Sequence, residues 1–151
     1  MTVAPERLYV DVEGPVKTWL RAQTYLTDVL TSKNGAPGIY LSTPKNSQTP
    51  DKPWLVFQSV NDLPEPGGGA PLVRALLQFD VYGPKRELVA DAAAALVSVC
   101  ESMRDGTPLD STLIGHGAYV GRNQWLPDPD NALPRRSLDI TFLVHAVTDG
   151  T

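Results

Sequence analysis

Along residues 72–103 the apolar positions change their spacing from two to nearly four, and the change falls on Gly83-Pro84. Before that point Ala75, Leu77, Phe79 and Val81 alternate with Arg74, Leu76, Gln78, Asp80 and Tyr82, the pattern of a strand with one buried face. After it, Leu88, Ala92, Ala95, Leu96, Val99 and Met103 share one side of a helix expected over residues 85–103. The alanines at 92–95 favour that helix and allow it to approach a sheet closely, and Asp105-Gly106-Thr107-Pro108 ends it. An amphipathic helix placed directly after a half-buried strand constrains the chain to a helix layer packed on a sheet.

The remaining segments fit that plan. Residues 12–30 predict a second helix, opened by Gly14-Pro15 and carrying the stripe Val16, Trp19, Leu20, Gln23, Leu26 and Leu30, with Trp19 as its anchor. Asn34-Gly35 and Pro37-Gly38 make a turn, and Ile39-Tyr40-Leu41 a short strand. Residues 42–52 form a polar connector expected on the surface. Trp54 to Val60, preceded by Pro53, reads as a core strand. Residues 61–71, with three prolines and Gly67-Gly68-Gly69, read as a long flexible loop at the end of an antiparallel hairpin. A second hairpin joins strands at 113–126 and 133–147 across Pro127-Asp128-Pro129-Asp130-Asn131. Gly115, Gly117 and Gly121 predict bulges or added twist in its first strand. The expected fold is therefore α+β: one domain over residues 1–151, with a mostly antiparallel four- to five-stranded sheet and two helices packed on one face. The row Leu76, Gln78, Asp80 and Tyr82 is too polar to lie under a second sheet, so the other face is expected to meet solvent or a polar partner.

Composition removes several classes of function. A chain of 151 residues builds one sizeable core. Thirteen basic against 17 acidic residues give a net charge of −4, which leaves no basic surplus for a nucleic-acid backbone. Cys100 is the single cysteine, so no disulfide forms within the chain, and a reducing compartment is expected. No stretch approaches the roughly 18 consecutive apolar residues of a membrane span. The first eleven residues lack a basic region followed by an apolar run, so the protein is expected to begin in the cytoplasm and not at a membrane.

The chain shows no reactive constellation. His116, in Gly115-His116-Gly117, and His145 begin no metal motif; they are structural or surface residues, or they meet across the sheet with Asp139 or Asp80. Ser59, Ser98 and Ser111 lack a nucleophile-elbow context, and Cys100 at helical spacing reads as a small buried hydrophobe. The Gly67-Gly68-Gly69 run lacks the lysine and hydroxyl residue of a phosphate-binding loop and reads as flexibility. Arg135-Arg136, just after Asp128 and Asp130, is either a solvated hairpin base or a charge pair reaching a neighbouring subunit. Trp125 and Tyr119 are either core residues or aromatic anchors of an interface. Neither catalysis, cofactor nor metal is expected; assembly with other protein surfaces is.

One family resemblance gives that expectation content. The N-terminal helix, the strand Pro53-Trp54-Leu55-Val56-Phe57-Gln58-Ser59-Val60, the strand ending Gln78-Phe79-Asp80-Val81-Tyr82 and running directly into a helix, and the final strand from Arg136 to His145 together resemble the tail terminator, or tail-completion, proteins of long-tailed bacteriophages. The resemblance spans nearly the whole chain and is one of fold and composition. It implies a homo-oligomeric ring, usually a hexamer, seated on the head-proximal end of the tail tube in the virion. Such a ring ends tube polymerisation, meets a head–tail connector protein, and lets DNA pass through its lumen unread. Glu65, Gly67, Gly68, Gly69, Trp125, Asp128, Asp130, Arg135 and Arg136 are then the candidate interface residues. A head–tail connector or minor tail protein is the nearest alternative, and a small hydrolase or ligand-binding domain a more distant one.

Overall fold

The computed structural model describes residues 11–33, 35–42, 50–64, 72–126 and 133–147. Its elements run α1 (Glu13–Arg21), α2 (Thr24–Thr27), β1 (Ser32–Lys33), β2 (Ala36–Pro37), β3 (Ile39–Tyr40), β4 (Trp54–Pro64), β5 (Leu72–Tyr82), α3 (Arg86–Glu101), β6 (Thr107–Pro108), β7 (Leu113–Leu126) and β8 (Arg135–Ala146). Strands β1 and β2 pair with each other around Gly35, whose φ of 79° suits a residue without a side chain. The other six form one mixed sheet in the order β3-β4-β5-β8-β7-β6.

The α+β class agrees with the sequence, and the details differ in three places. The sheet has six strands, because short β3 and β6 border the four long ones, and β3 runs parallel to β4. Thirteen residues, 41–53, separate β3 from β4 in the sequence, enough chain for the long connection that a parallel pair requires. Second, β4 continues past Val60 to Pro64, four residues into the segment expected as loop. A register shift between Ser59 and Asn61 absorbs one residue, after which Asn61 pairs with Leu76 and Pro64 with Val73. A partner strand of equal length thus overrides the turn-like composition of Asn61-Asp62-Leu63-Pro64.

Third, the helix expected over residues 12–30 is broken after Arg21, giving three helices in place of two. Gln23 adopts an extended backbone (φ −90°, ψ 97°), and its side-chain amide donates to the Trp19 carbonyl at 3.1 Å. That carbonyl is also taken by the Ala22 N–H at 3.1 Å, so the α-helical ladder stops there. The break still leaves Leu26 and Leu30 in the core.

The helices cover one sheet face. Phe57 and Phe79, paired across β4 and β5, stack with ring centroids 4.9 Å apart, and Phe142 of β8 lies 6.4 Å from Phe79. The Trp19 ring meets Phe142 edge-on at 6.5 Å, so the expected anchor of the first helix sits over the middle of the sheet. On α3 the buried residues are Val89, Ala92, Ala93, Ala95, Leu96, Val99 and Cys100. Its inward stripe is turned slightly from the expected one, because Leu88 and Met103 are only half-buried. At the outer margin of β4, the Ser59 N–H donates to Glu13 Oε2 at 2.8 Å, which ties α1 to that edge.

Candidate functional site

The face away from the helices is open, as the polar row on β5 implied. Strand register sets its residues in rows: Trp54, Tyr82, Arg135 and Leu126 at one end, then Val56, Asp80, Ser137 and Gln124, then Gln58, Gln78, Asp139 and Arg122. At the first row Trp54 and Tyr82 stack with centroids 5.7 Å apart, and the Arg135 guanidinium lies 6.0 Å from the Tyr82 ring. In the third row Arg122 forks onto Asp139 and also donates to Ser137 Oγ at 2.7 Å. The hydrogen bond to Asp139, with the nearby charges of Asp139 and Asp80, holds the Arg122 guanidinium even more firmly protonated than usual. Ser137 is fully buried on this polar face because the guanidinium covers it.

The sequence missed this network. Arg122 and Asp139 are 17 residues apart, and only the β7–β8 register, including the shift between Val120 and Arg122, sets them opposite each other. That shift and another between Gly115 and Gly117 are the bulges that the glycines predicted.

The two histidines do meet, with a different acid from those expected. Nε2 of His116 faces Nδ1 of His145, and Nδ1 of His116 is bonded to Asp105 Oδ1. Asp139 is occupied by Arg122, and Asp80 lies on the row beyond it, so neither joins the histidines. Asp105 comes within reach because the Gly106 N–H donates to the Gly115 carbonyl at 3.0 Å, folding the turn after α3 against β7. The Asp105-Gly106 signal that marks the helix end was thus also the signal for this contact.

Of the candidate interface residues, Trp125, Arg135 and Arg136 are described, and each makes contacts within the chain. Trp125 is half-buried against the core, with the Arg86 guanidinium 4.0 Å and the Arg136 guanidinium 5.0 Å from its ring. Arg136 also donates to Asn123 Oδ1 at 2.5 Å. As neighbours on a strand, Arg135 and Arg136 point to opposite faces, Arg135 towards Tyr82 and Arg136 towards Trp125. Tyr119 is 53% exposed and stands on the open face opposite Thr141. Glu65, Gly67, Gly68, Gly69, Asp128 and Asp130 lie outside the described residues, as does most of the 42–52 connector.

Cys100 is fully buried, and burial pushes its thiol far up, which makes it a poor nucleophile. Among the described residues no group of three or more His, Cys, Asp or Glu side chains is placed to hold a metal ion. No helix among them is long and apolar enough to cross a membrane.

This arrangement defines an α+β protein with helices on one sheet face and a polar opposite face. No protein-family profile and no curated protein matches the sequence. In fold, the chain is similar to a chain in the solved structure described as "Virion of native gene transfer agent (GTA) particle". The TM-score is 0.63 at 15% sequence identity, covering 88% of this chain and 93% of that one.

Proposed function

We propose that this chain is a structural protein of a phage-like virion, and that within it the chain forms the ring, of about six copies, that caps the tail tube. The observation that carries the reading is the fold likeness to a virion chain, which runs through nearly the full length of both molecules. The residue pattern resembling tail terminators supports the finer assignment: the Gln78-Phe79-Asp80-Val81-Tyr82 strand end does run through Gly83-Pro84 into α3.

A terminating ring needs one face that matches the tube and another that does not match a further ring, so growth stops. It also needs a wall that does not hold passing DNA. A net charge of −4 and an arginine already forked onto Asp139 suit such a wall. The partners in this reading are the tail tube protein and the head–tail connector, with no cofactor and no catalysis.

Negative-stain imaging with mass determination, on the purified protein alone and mixed with tail tubes, tests the proposal. Rings seated on tube ends are the expected outcome. A strictly monomeric particle that never binds a tube end would sink it, and a ring found at the capsid portal without tubes would transfer the assignment to a connector.

A further inference from the structure

We propose that the outer edge of β7, residues 117–126, is where a neighbouring copy of this chain docks, laying an extended segment along the strand and a carboxylate against Arg86 and Arg136. The proposal deepens the ring reading above and rests on it for the identity of the neighbour.

The two margins of the sheet are built differently. At one, β3 pairs with Leu55 and Val56, Glu13 takes the Ser59 N–H, and β4 ends on Pro64, which has no N–H to offer. At the other, β6 pairs with Ile114 and Gly115 only, and among the described residues no strand pairs with β7 beyond them. Residues 117–126 contain neither proline nor lysine, the residues that commonly blunt a free edge. The protein thus guards one margin and leaves roughly 30 Å of the other open.

The backbone there is aimed outward at defined points. Leu113 and Gly115 turn their carbonyls away from β8, to the N–H groups of Leu109 and Gly106. Alternation, stepped by one residue at each register shift, gives the same direction to the backbone of Ala118, Val120, Asn123 and Trp125. The shift between Val120 and Arg122 divides these into two short runs, so an added strand must match that spacing.

Side chains on both faces of this edge suit a protein partner. Tyr119 stands 53% exposed on one face. On the other, Trp125 carries the guanidinium of exposed Arg86 at 4.0 Å and that of Arg136 at 5.0 Å. Among the described residues neither guanidinium meets a carboxylate, whereas Arg122 is already forked onto Asp139. With 17 acidic against 13 basic residues, a second copy brings the surplus of carboxylates that this cationic cluster lacks.

Sedimentation equilibrium of the purified chain, up to high micromolar concentration and at low and high NaCl, tests the contact. The wild-type chain is expected to self-associate, less strongly as salt rises. Val120→Pro removes an outward donor without touching the ladder to β8, and should weaken association at least about tenfold, while Val120→Thr keeps the N–H and should associate like the wild type. Arg86→Glu with Arg136→Glu should abolish association. A wild-type chain that stays monomeric, or a folded Val120→Pro chain that associates as well as the wild type, would overturn the proposal. If Val120→Pro does not fold, hydrogen exchange of the wild-type chain decides: association must slow the N–H groups of Ala118, Val120, Asn123 and Trp125, and unchanged rates refute the contact. Imaging with tail tubes separates this contact from the capping role. Rings of Val120→Pro on tube ends would overturn the contact and leave capping intact, whereas wild-type assemblies that ignore tube ends would do the reverse.

Discussion

Arg122 holds Asp139 through two hydrogen bonds, Nε to Oδ2 at 2.9 Å and Nη2 to Oδ1 at 3.0 Å, across neighbouring strands of the open face. Both side chains are about 30% exposed, so water weakens the pair without cancelling it. Arg122→Ala strands the carboxylate and uncovers buried Ser137, and is expected to cost about 1–2 kcal/mol in urea unfolding. Arg122→Lys should recover only part of that, because an ammonium cannot match the two-pronged geometry.

The Phe57, Phe79 and Phe142 group joins three strands beneath Trp19. Phe142→Ala should cost about 3–5 kcal/mol, measured by thermal or urea denaturation, because the fully buried ring leaves a cavity between sheet and helix. Phe142→Leu should cost less than Phe142→Ala, since it retains more of the buried volume.

Gly38 lies where β3 begins its parallel pairing. An added Cβ would stand 2.6 Å from Thr31 Cγ2 and 3.2 Å from both the Thr31 carbonyl oxygen and Trp54 Cβ. Gly38→Ala is therefore expected to destabilise by about 1–3 kcal/mol. The damage should be local: hydrogen exchange should quicken at Leu55, whose N–H donates to the Gly38 carbonyl at 2.9 Å, more than in β8.

The Cys100 thiol gives a pH-dependent signature. In the unfolded chain it ionises near its ordinary value of 9.0, whereas burial keeps it protonated in the folded chain well above that. Above pH 9 the folded state thus binds the extra proton, so stability declines as pH rises, by at most about 1.4 kcal/mol per pH unit from this group. Cys100→Ala should flatten that slope between pH 9 and 11 in denaturant titrations. At neutral pH an aromatic disulfide reagent should label Cys100 only on unfolding.

Strands β5 and β8 and helix α3 were legible because each expresses one period over enough residues, and β5 and β7 begin and end where the sequence put them. The bulges were legible from Gly115, Gly117 and Gly121, which only needed a partner strand to become register shifts. What the sequence could not express were relations set by that register. Arg122 finds Asp139, and His116, besides meeting His145 as one of the two readings allowed, finds Asp105 rather than the acids expected, through pairing across many intervening residues. The helix break at Gln23 was hidden for a different reason: one side-chain amide competing for the Trp19 carbonyl leaves the apolar spacing unchanged. Arg135 and Arg136, adjacent in sequence, serve opposite faces, as neighbours in a strand do.

The sheet order β3-β4-β5-β8-β7-β6 carries a kinetic consequence. Hairpins β4–β5 and β7–β8 can each close on themselves, but the central seam between β5 and β8 forms only when the two halves dock. Until then each half exposes a long edge whose complement lies on every other copy of the same chain. A population of these molecules folding together at high concentration can exchange C-terminal halves, giving swapped dimers with native pairing at the seam. The interval between synthesis of the first hairpin and arrival of the second is therefore when this protein is most exposed to misassembly.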